Sequence, residues 1–273
     1  MTDRRLHPAT RRRAHVSLRG LVAAEEFTDG TPLRVCVPLV DLLAAPQGPR
    51  DRQLWLGDGF LVIDRDQGQA FGRADKDGSC GWLPESALAD SPAPTHHVIT
   101  PGTHLYPESR VQSPETAALP MGAGLTVLAM TESWAETTLG FVPARHLAPI
   151  GIWAADPVSV AETLLGSPYL WGGNSRAGID CSGLVQLARL ACGLPCLADS
   201  DQQQSLGAAL SETEPLRRGD LLFWRGHVAM IVDPTRLIHA NGHTMSVAYE
   251  PIVECIARIA AQSGGPVTHR RRP

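Results

Sequence analysis

Between residues 33 and 142 the apolar positions fall in short runs, at 33–39, 54–63, 125–130 and 134–142, each cut off by glycine, proline or aspartate. Runs of this length between turn formers predict strands, and their close succession suits small β-barrels better than helical units. Two stretches end alike. Gly81-Trp82-Leu83-Pro84-Glu85-Ser86-Ala87-Leu88 and Gly140-Phe141-Val142-Pro143-Ala144-Arg145-His146-Leu147 share a G-aromatic-aliphatic-P-x-x-x-L pattern, 59 residues apart. The segment therefore reads as two similar small domains, at 34–90 and 96–148, with Pro92, Pro94 and Pro149 as boundary residues.

From Asp156 the period changes. Asp156-Pro157 reads as an N-cap followed by a first-turn proline, and Val158, Ala161, Leu164 and Leu165 recur at helical spacing up to Gly166. A second helix is predicted where Leu184, Val185, Leu187, Ala188 and Ala191 share one face, with Cys181 and Ser182 at its start and Gly193 past its end. Strand-like runs follow at 220–224, 227–232 and 236–240, the last two joined by Asp233-Pro234-Thr235 as a tight hairpin. A helix followed by antiparallel strands is an α+β arrangement, spanning 156–265.

Length agrees with several domains rather than one core, since 273 residues exceed the ~150 of a common domain. At 43% hydrophobic and 19% charged the chain is of globular composition, without the unbroken apolar run of a membrane span. Its net charge of −4 is unevenly spread: residues 1–20 hold six Arg against one Asp, Arg270, Arg271 and Arg272 add three charges, and residues 21–269 therefore carry −12. The basic residues sit in two terminal segments, 1–33 and 266–273, which read as solvated tails; a motif-bearing basic stripe with interleaved aromatics is absent, which argues against a nucleic-acid partner. Residues 1–20 lack the apolar stretch of a secretory signal, so the expectation is a cytoplasmic protein without a membrane partner. Six irregularly spaced cysteines without a CxxC pair, and the lack of HExxH or GxxxxGK[ST], leave no cofactor or metal expected.

Cys181 stands apart because the turn Gly178-Ile179-Asp180 delivers it to the start of an apolar helix. Aligned peptide dipoles and unpaired amides there favour a thiolate, so a thiol of pKa ~8.5 is expected to fall to roughly 4–7. His227 opens one predicted strand and His239 lies near the end of the next; paired antiparallel, the two imidazoles fall in one patch of sheet. Thiol, imidazole and a third polar group orienting that imidazole are the parts of cysteine acyl transfer. His96, His97, His104 and His146 have no such partners in the pattern.

These residues carry a family resemblance. Ser167-Pro168-Tyr169-Leu170-Trp171-Gly172-Gly173-Asn174, Gly178-Ile179-Asp180-Cys181-Ser182-Gly183-Leu184-Val185-Gln186, Arg218-Gly219-Asp220-Leu221-Leu222-Phe223-Trp224 with His227-Val228-Ala229-Met230, and Leu237-Ile238-His239-Ala240 resemble, in order, the NlpC-type cell-wall peptidases over about 157–255. The repeat at Gly81 and Gly140 resembles the ending of bacterial Src-homology-3-like barrels. Together these imply two small all-β Src-homology-3-like barrels followed by an α+β papain-like catalytic domain. The resemblance makes Cys181 the nucleophile, His227 the base and then acid, and His239 its orienter. It implies Tyr169 and Trp171 at the oxyanion and cleft wall, and Asp180, Ser182, Asp199 and Ser200 toward the peptide.

Two such barrels before such a domain resemble the cytoplasmic murein-recycling enzymes that cut the γ-D-glutamyl-diamino acid bond of a stem peptide, L-Ala-γ-D-Glu-diamino acid, with a free N-terminal L-alanine. Asp58, Glu85 and Asp180 are then possible partners for the ammonium group. The family's D-G-Y-x-G-W reads here Asp77-Gly78-Ser79-Cys80-Gly81-Trp82, with Ser79 in place of the tyrosine. An exported wall hydrolase whose barrels bind intact peptidoglycan, a non-catalytic wall-binding module, and transfer to an acceptor other than water are the alternatives. Arg217 and Arg218 read as a solvated turn or as partners of substrate carboxylates.

Overall fold

The computed structural model describes residues 3–262 and 264–273, in two compact units, Met1–Ile152 and Trp153–Pro273. In the first unit seven strands form an antiparallel sheet in the order Arg50–Trp55, Leu39–Leu43, Cys80–Pro84, Gln69–Ala74, Gly59–Asp66, Thr31–Val35, Leu88–Ala89. Strand alternation sends Val35, Val40, Leu42, Leu54, Phe60, Val62 and Leu83 into one core. The apolar run at 54–63 proves to be two strands, because Gly57 takes φ +83°, a turn conformation that side chains resist, and reverses the chain.

A second group of strands packs around a separate core of Val98, Leu105, Leu119, Leu125, Val142 and Leu147. It is laid out as three small sheets rather than one: Gly124–Leu125, His96–Val98 and Leu147–Pro149; Gly102–Leu105 with Ala117–Pro120; and Val127–Met130, Trp134–Thr137 and Gly140–Pro143. The sequence repeat occupies equivalent elements in both groups. Each copy is a strand ending in proline, Cys80–Pro84 or Gly140–Pro143, then a single 3-10 turn, Glu85–Ala87 or Ala144–His146, then a short strand.

The terminal segments are not tails. Arg13–His15 pairs in parallel with Glu26–Thr28, Arg4 binds Asp51 at 2.7 Å, and Arg12 reaches Asp64, a buried carboxylate, at 3.0 Å. At the other end His269–Arg272 is a strand of the second unit's sheet, and the Arg272 guanidinium clasps both oxygens of Asp220 at 2.9 and 2.8 Å. Asp220 is 1% exposed. A carboxylate taken that far from water needs a cation, and the last turn of sequence supplies it.

The second unit packs helices on a six-stranded antiparallel sheet. Helices α1 (Pro157–Glu162), α2 (Cys181–Ala191), α3 (Ser200–Gln203) and α4 (Ile252–Ala261) accompany strands β1 (Ala208–Ala209), β2 (Leu221–Trp224), β3 (His227–Ile231), β4 (Arg236–Asn241), β5 (Ser246–Pro251) and β6 (His269–Arg272), in sheet order β1-β6-β2-β3-β4-β5. Asp156 caps α1 as its sequence foretells, accepting from the Val158 and Ser159 amides. The same carboxylate and Glu162 hold Arg218, at 2.7 and 3.0 Å, so the Arg217-Arg218 turn is tied down through its second arginine rather than freely solvated. Ile252, Cys255, Ile256 and Ile259 recur on one face of α4 and pack against Leu222, Trp224, Ile231 and Leu237 of the sheet. Among the described residues no helix is long and apolar enough to cross a membrane.

Candidate active site

The start of α2 is built by close approach. Asp180 caps it: one carboxylate oxygen accepts from the Gly183 amide at 2.7 Å and the Ser182 hydroxyl at 3.1 Å, the other from the Gly172 amide at 2.9 Å. A Cβ on Gly183 would stand 2.6 Å from the Gly173 carbonyl oxygen, so only glycine lets the 170–173 loop lie against the first turn. From Cys181 through Arg189 the helix is buried all round. Polar side chains that the sequence reading passed over fasten it there. Asn174 donates to Gln186 at 3.0 Å, and Gln203, 0% exposed, donates from α3 to the Ser182 carbonyl at 3.0 Å.

Cys181 Sγ is buried against β3. It lies 4.0 Å from the Gly226 carbonyl oxygen and takes hydrogen bonding from the Val228 amide, and these two groups bracket His227. On the sheet, Met230 pairs with Ile238, which sets residue 229 opposite residue 239 and makes His227 and His239 diagonal neighbours on one face. Their rings meet: His227 Nε2 is 2.9 Å from His239 Nδ1. With Nε2 so engaged, Nδ1 is the His227 nitrogen left for another partner.

The sequence expectation of a lowered thiol pKa is overturned. Burial first, and the Asp180 carboxylate second, push the Cys181 thiol up to about 12, against the pull of the Val228, Ser182 and Cys181 amides. Helix-end amides are outweighed here because the sulfur is shut away from water and the N-cap is itself an anion. Burial also pushes His227 down to about 3, with His239 adding to it, and His239 down to about 4. At neutral pH the thiol and both imidazoles are therefore uncharged.

Behind His239 the network continues. His239 is 0% exposed; its Nε2 lies 3.1 Å from Glu250 Oε2, off the axis of a good hydrogen bond, with no other hydrogen-bond partner. Glu250 is gripped by Arg258, Nε to Oε1 at 2.7 Å and Nη2 to Oε2 at 2.6 Å. Neither residue was read from the sequence. Donor atoms of His239, Glu250 and Cys255 lie within 4.8 Å of one another, a grouping that spacing had hidden, but the guanidinium already occupies the carboxylate and burial raises the Cys255 thiol to about 12.

The other expected residues are scattered in role. Tyr169 is half-buried beside the thiol, close enough for the charge of Cys181 and of Asp180 to raise its phenol, after burial. Trp171 is 69% exposed. Ser182 is buried, bonded to Asp180. Asp199 and Ser200 form the start of α3, where Asp199 makes a capping box with Gln202. In the first unit, Asp58 is taken by Lys76 at 2.7 Å and Glu85 by Arg65 at 2.7 Å, so both carboxylates that might have met an ammonium group already hold a cation. Ser79 is buried, its amide donating to Asp77 at 2.9 Å.

Residues 166–257 match the NlpC/P60 family, and residues 42–88 match the bacterial dipeptidyl-peptidase SH3 domain. The chain carries an NlpC/P60 domain and a bacterial SH3 domain. Among its relatives is the Dipeptidyl-peptidase 6 of Lysinibacillus sphaericus, 37% identical over 98 residues, a match covering 36% of each chain. A Gamma-D-glutamyl-L-lysine dipeptidyl-peptidase of Bacillus cereus is 27% identical over 237 residues, covering 74% of this chain and 70% of that one. The crystal structure of an NlpC/P60 family protein from Bacillus cereus superposes with a TM-score of 0.75 at 20% identity, over 89% of this chain and 99% of that one, which establishes the shared fold. Cys181, His227 and His239 all lie inside the segment that matches the NlpC/P60 family.

Proposed function

We propose that the protein is a cysteine peptidase that hydrolyses the γ-D-glutamyl-diamino acid bond of murein stem peptides bearing a free N-terminal L-alanine, releasing L-Ala-D-Glu. The observation that carries this reading is the buried thiol of Cys181 against β3 at His227, with His227 Nε2 held by His239 at 2.9 Å. The dipeptidyl-peptidase names of the relatives support the substrate class. We extend the reading to the strands of 96–148 as a second SH3-like barrel, and to a cytoplasmic role on peptides already released from the wall.

In this mechanism His227 Nδ1 takes the thiol proton as Cys181 Sγ attacks the γ-carbonyl carbon of D-glutamate. The carbonyl oxygen gains a negative charge, met by the Cys181 amide and the Tyr169 hydroxyl; each well-aimed donor of this kind is worth roughly 2.7–4 kcal/mol. The His227 imidazolium then gives its proton to the leaving nitrogen, the C–N bond breaks, and the diamino acid departs as an amine. Water, deprotonated by His227, attacks the remaining thioester and restores the thiol.

Digestion of L-Ala-γ-D-Glu-L-Lys, its N-acetyl derivative and intact sacculi tests the assignment. The expected result is L-Ala-D-Glu from the free peptide, with cleavage of the acetylated one at least about tenfold slower, a loss of roughly 1.4 kcal/mol. Equal cleavage of the blocked peptide overturns the free-amine requirement, and a preference for sacculi overturns the recycling role.

A further inference from the structure

Resting on the reading of Cys181, His227 and His239 as the reacting groups, we propose that Glu250, clamped by Arg258, is a positioning residue that fixes the tautomers of both histidines in series. An ionised carboxylate only accepts, and a guanidinium only donates. Arg258 holds both oxygens of Glu250, at 2.7 and 2.6 Å, and keeps that carboxyl below its usual range. His239 Nε2 lies 3.1 Å from this anion, and even off the axis of a good hydrogen bond a buried carboxylate favours the positive end of an N–H beside it over a bare nitrogen.

The consequence passes along the sheet. With Nε2 protonated, neutral His239 has a bare Nδ1, which accepts from His227 Nε2 at 2.9 Å. His227 is then protonated on Nε2 and bare on Nδ1, the nitrogen left for the thiol. Reverse the proton on His239 and every step reverses, leaving His227 with an N–H where a base is required. Glu250 also offsets the Arg258 cation, which on its own disfavours an imidazolium at His227. β5 makes this possible: Glu250 pairs with Leu237, two residues from His239 on the same face of β4.

The groups that bear on this relay come from every neighbouring element. Cys181 and Asp180 lie at the start of α2, Tyr169 in the loop before it, His227 on β3, His243 after β4, and Cys255 and Arg258 on α4. Among them Glu250 is the one anion with a carboxylate oxygen against His239.

Two variants test the proposal. In full-length Cys181→Ala protein, long-range ¹H–¹⁵N spectra of the imidazoles at neutral pH should place the proton of both histidines on Nε2. Adding Glu250→Ala should populate the Nδ1–H form at both. Retention of Nε2–H at both rings in that variant overturns the proposal, and because this readout needs no turnover it stands apart from whether Cys181 is the nucleophile. In the protein with Cys181 present, Glu250→Gln keeps size and removes charge. It should lower kcat about 10–100-fold with KM within about twofold, the range found for groups that orient a reacting ligand from behind. It should also move the pH rise of iodoacetamide labelling at the Cys181 peptide to higher pH. A labelling profile that superposes on the wild type overturns the charge role.

Discussion

Acidification should cost this protein stability through His239, and the amount follows from its burial. The ring is 0% exposed and its pKa stands at about 4, against about 6.5 in an unfolded chain. A base whose folded pKa is depressed stays neutral in the native state while the unfolded chain takes up a proton. Stability is therefore full above about pH 6.5 and falls as the pH drops through that value toward 4. Between about pH 7.5 and pH 5 the unfolded chain gains close to one proton at this site, and the native state almost none. Linkage converts this to about 2 kcal/mol lost at pH 5. His227, less deeply buried, adds in the same direction, but the two rings share a hydrogen bond and their contributions do not sum. Urea unfolding of wild type and His239→Gln at the two pH values reads the effect of the His239–His227 pair, because titrating groups outside that pair and its Glu250 contact cancel in the comparison. Wild type should lose about 2 kcal/mol more than the variant on acidification. Losses equal to within about 0.5 kcal/mol would show that the imidazole is not held neutral by the fold, and the reasoning would fail.

Two further outcomes follow from packing. Gly183→Ala should cost at least about 2 kcal/mol in chemical denaturation, since a Cβ there meets the Gly173 carbonyl oxygen at 2.6 Å and backbone must move; a loss under about 0.5 kcal/mol would mean the 170–173 loop is not seated on the helix. Arg272→Ala should lower the denaturation midpoint and the hydrogen-exchange protection of β2, by leaving Asp220 buried without its cation, and Asp220→Asn in the same chain should restore part of both. Unchanged protection in Arg272→Ala would return the segment to the status of a tail.

The parts of the domain that sequence reading reached are those where period and punctuation agree. Asp156-Pro157 marks the start of α1, the apolar face from Leu184 to Ala191 marks α2, and Asp233-Pro234-Thr235 marks the β3–β4 hairpin. Once the hairpin is drawn, His227 and His239 share a patch, and the register only sharpens this to a diagonal contact. What escaped did so for definite reasons. β6 is His269 to Arg272, four polar residues with no alternation to betray a strand; backbone pairing to β2 and one buried aspartate hold it, and neither is visible in a one-dimensional pattern. Glu250 sits on a strand that offers little apolar signal, and its meaning depends on Arg258 from another element. α4 could have been found, because Ile252, Cys255, Ile256 and Ile259 keep helical spacing. Position alone does not set the thiol pKa: the helix start is real, but burial and the capping carboxylate outweigh it.

The central step of the proposed mechanism is the bond between Cys181 and substrate. Acid quenching within the first turnover of L-Ala-γ-D-Glu-L-Lys, followed by peptide mapping, should find the L-Ala-γ-D-Glu acyl group on the peptide that contains Cys181, and Cys181→Ala should give neither adduct nor dipeptide while keeping its circular dichroism. Undiminished dipeptide release by folded Cys181→Ala, with no adduct on the wild type, would contradict it.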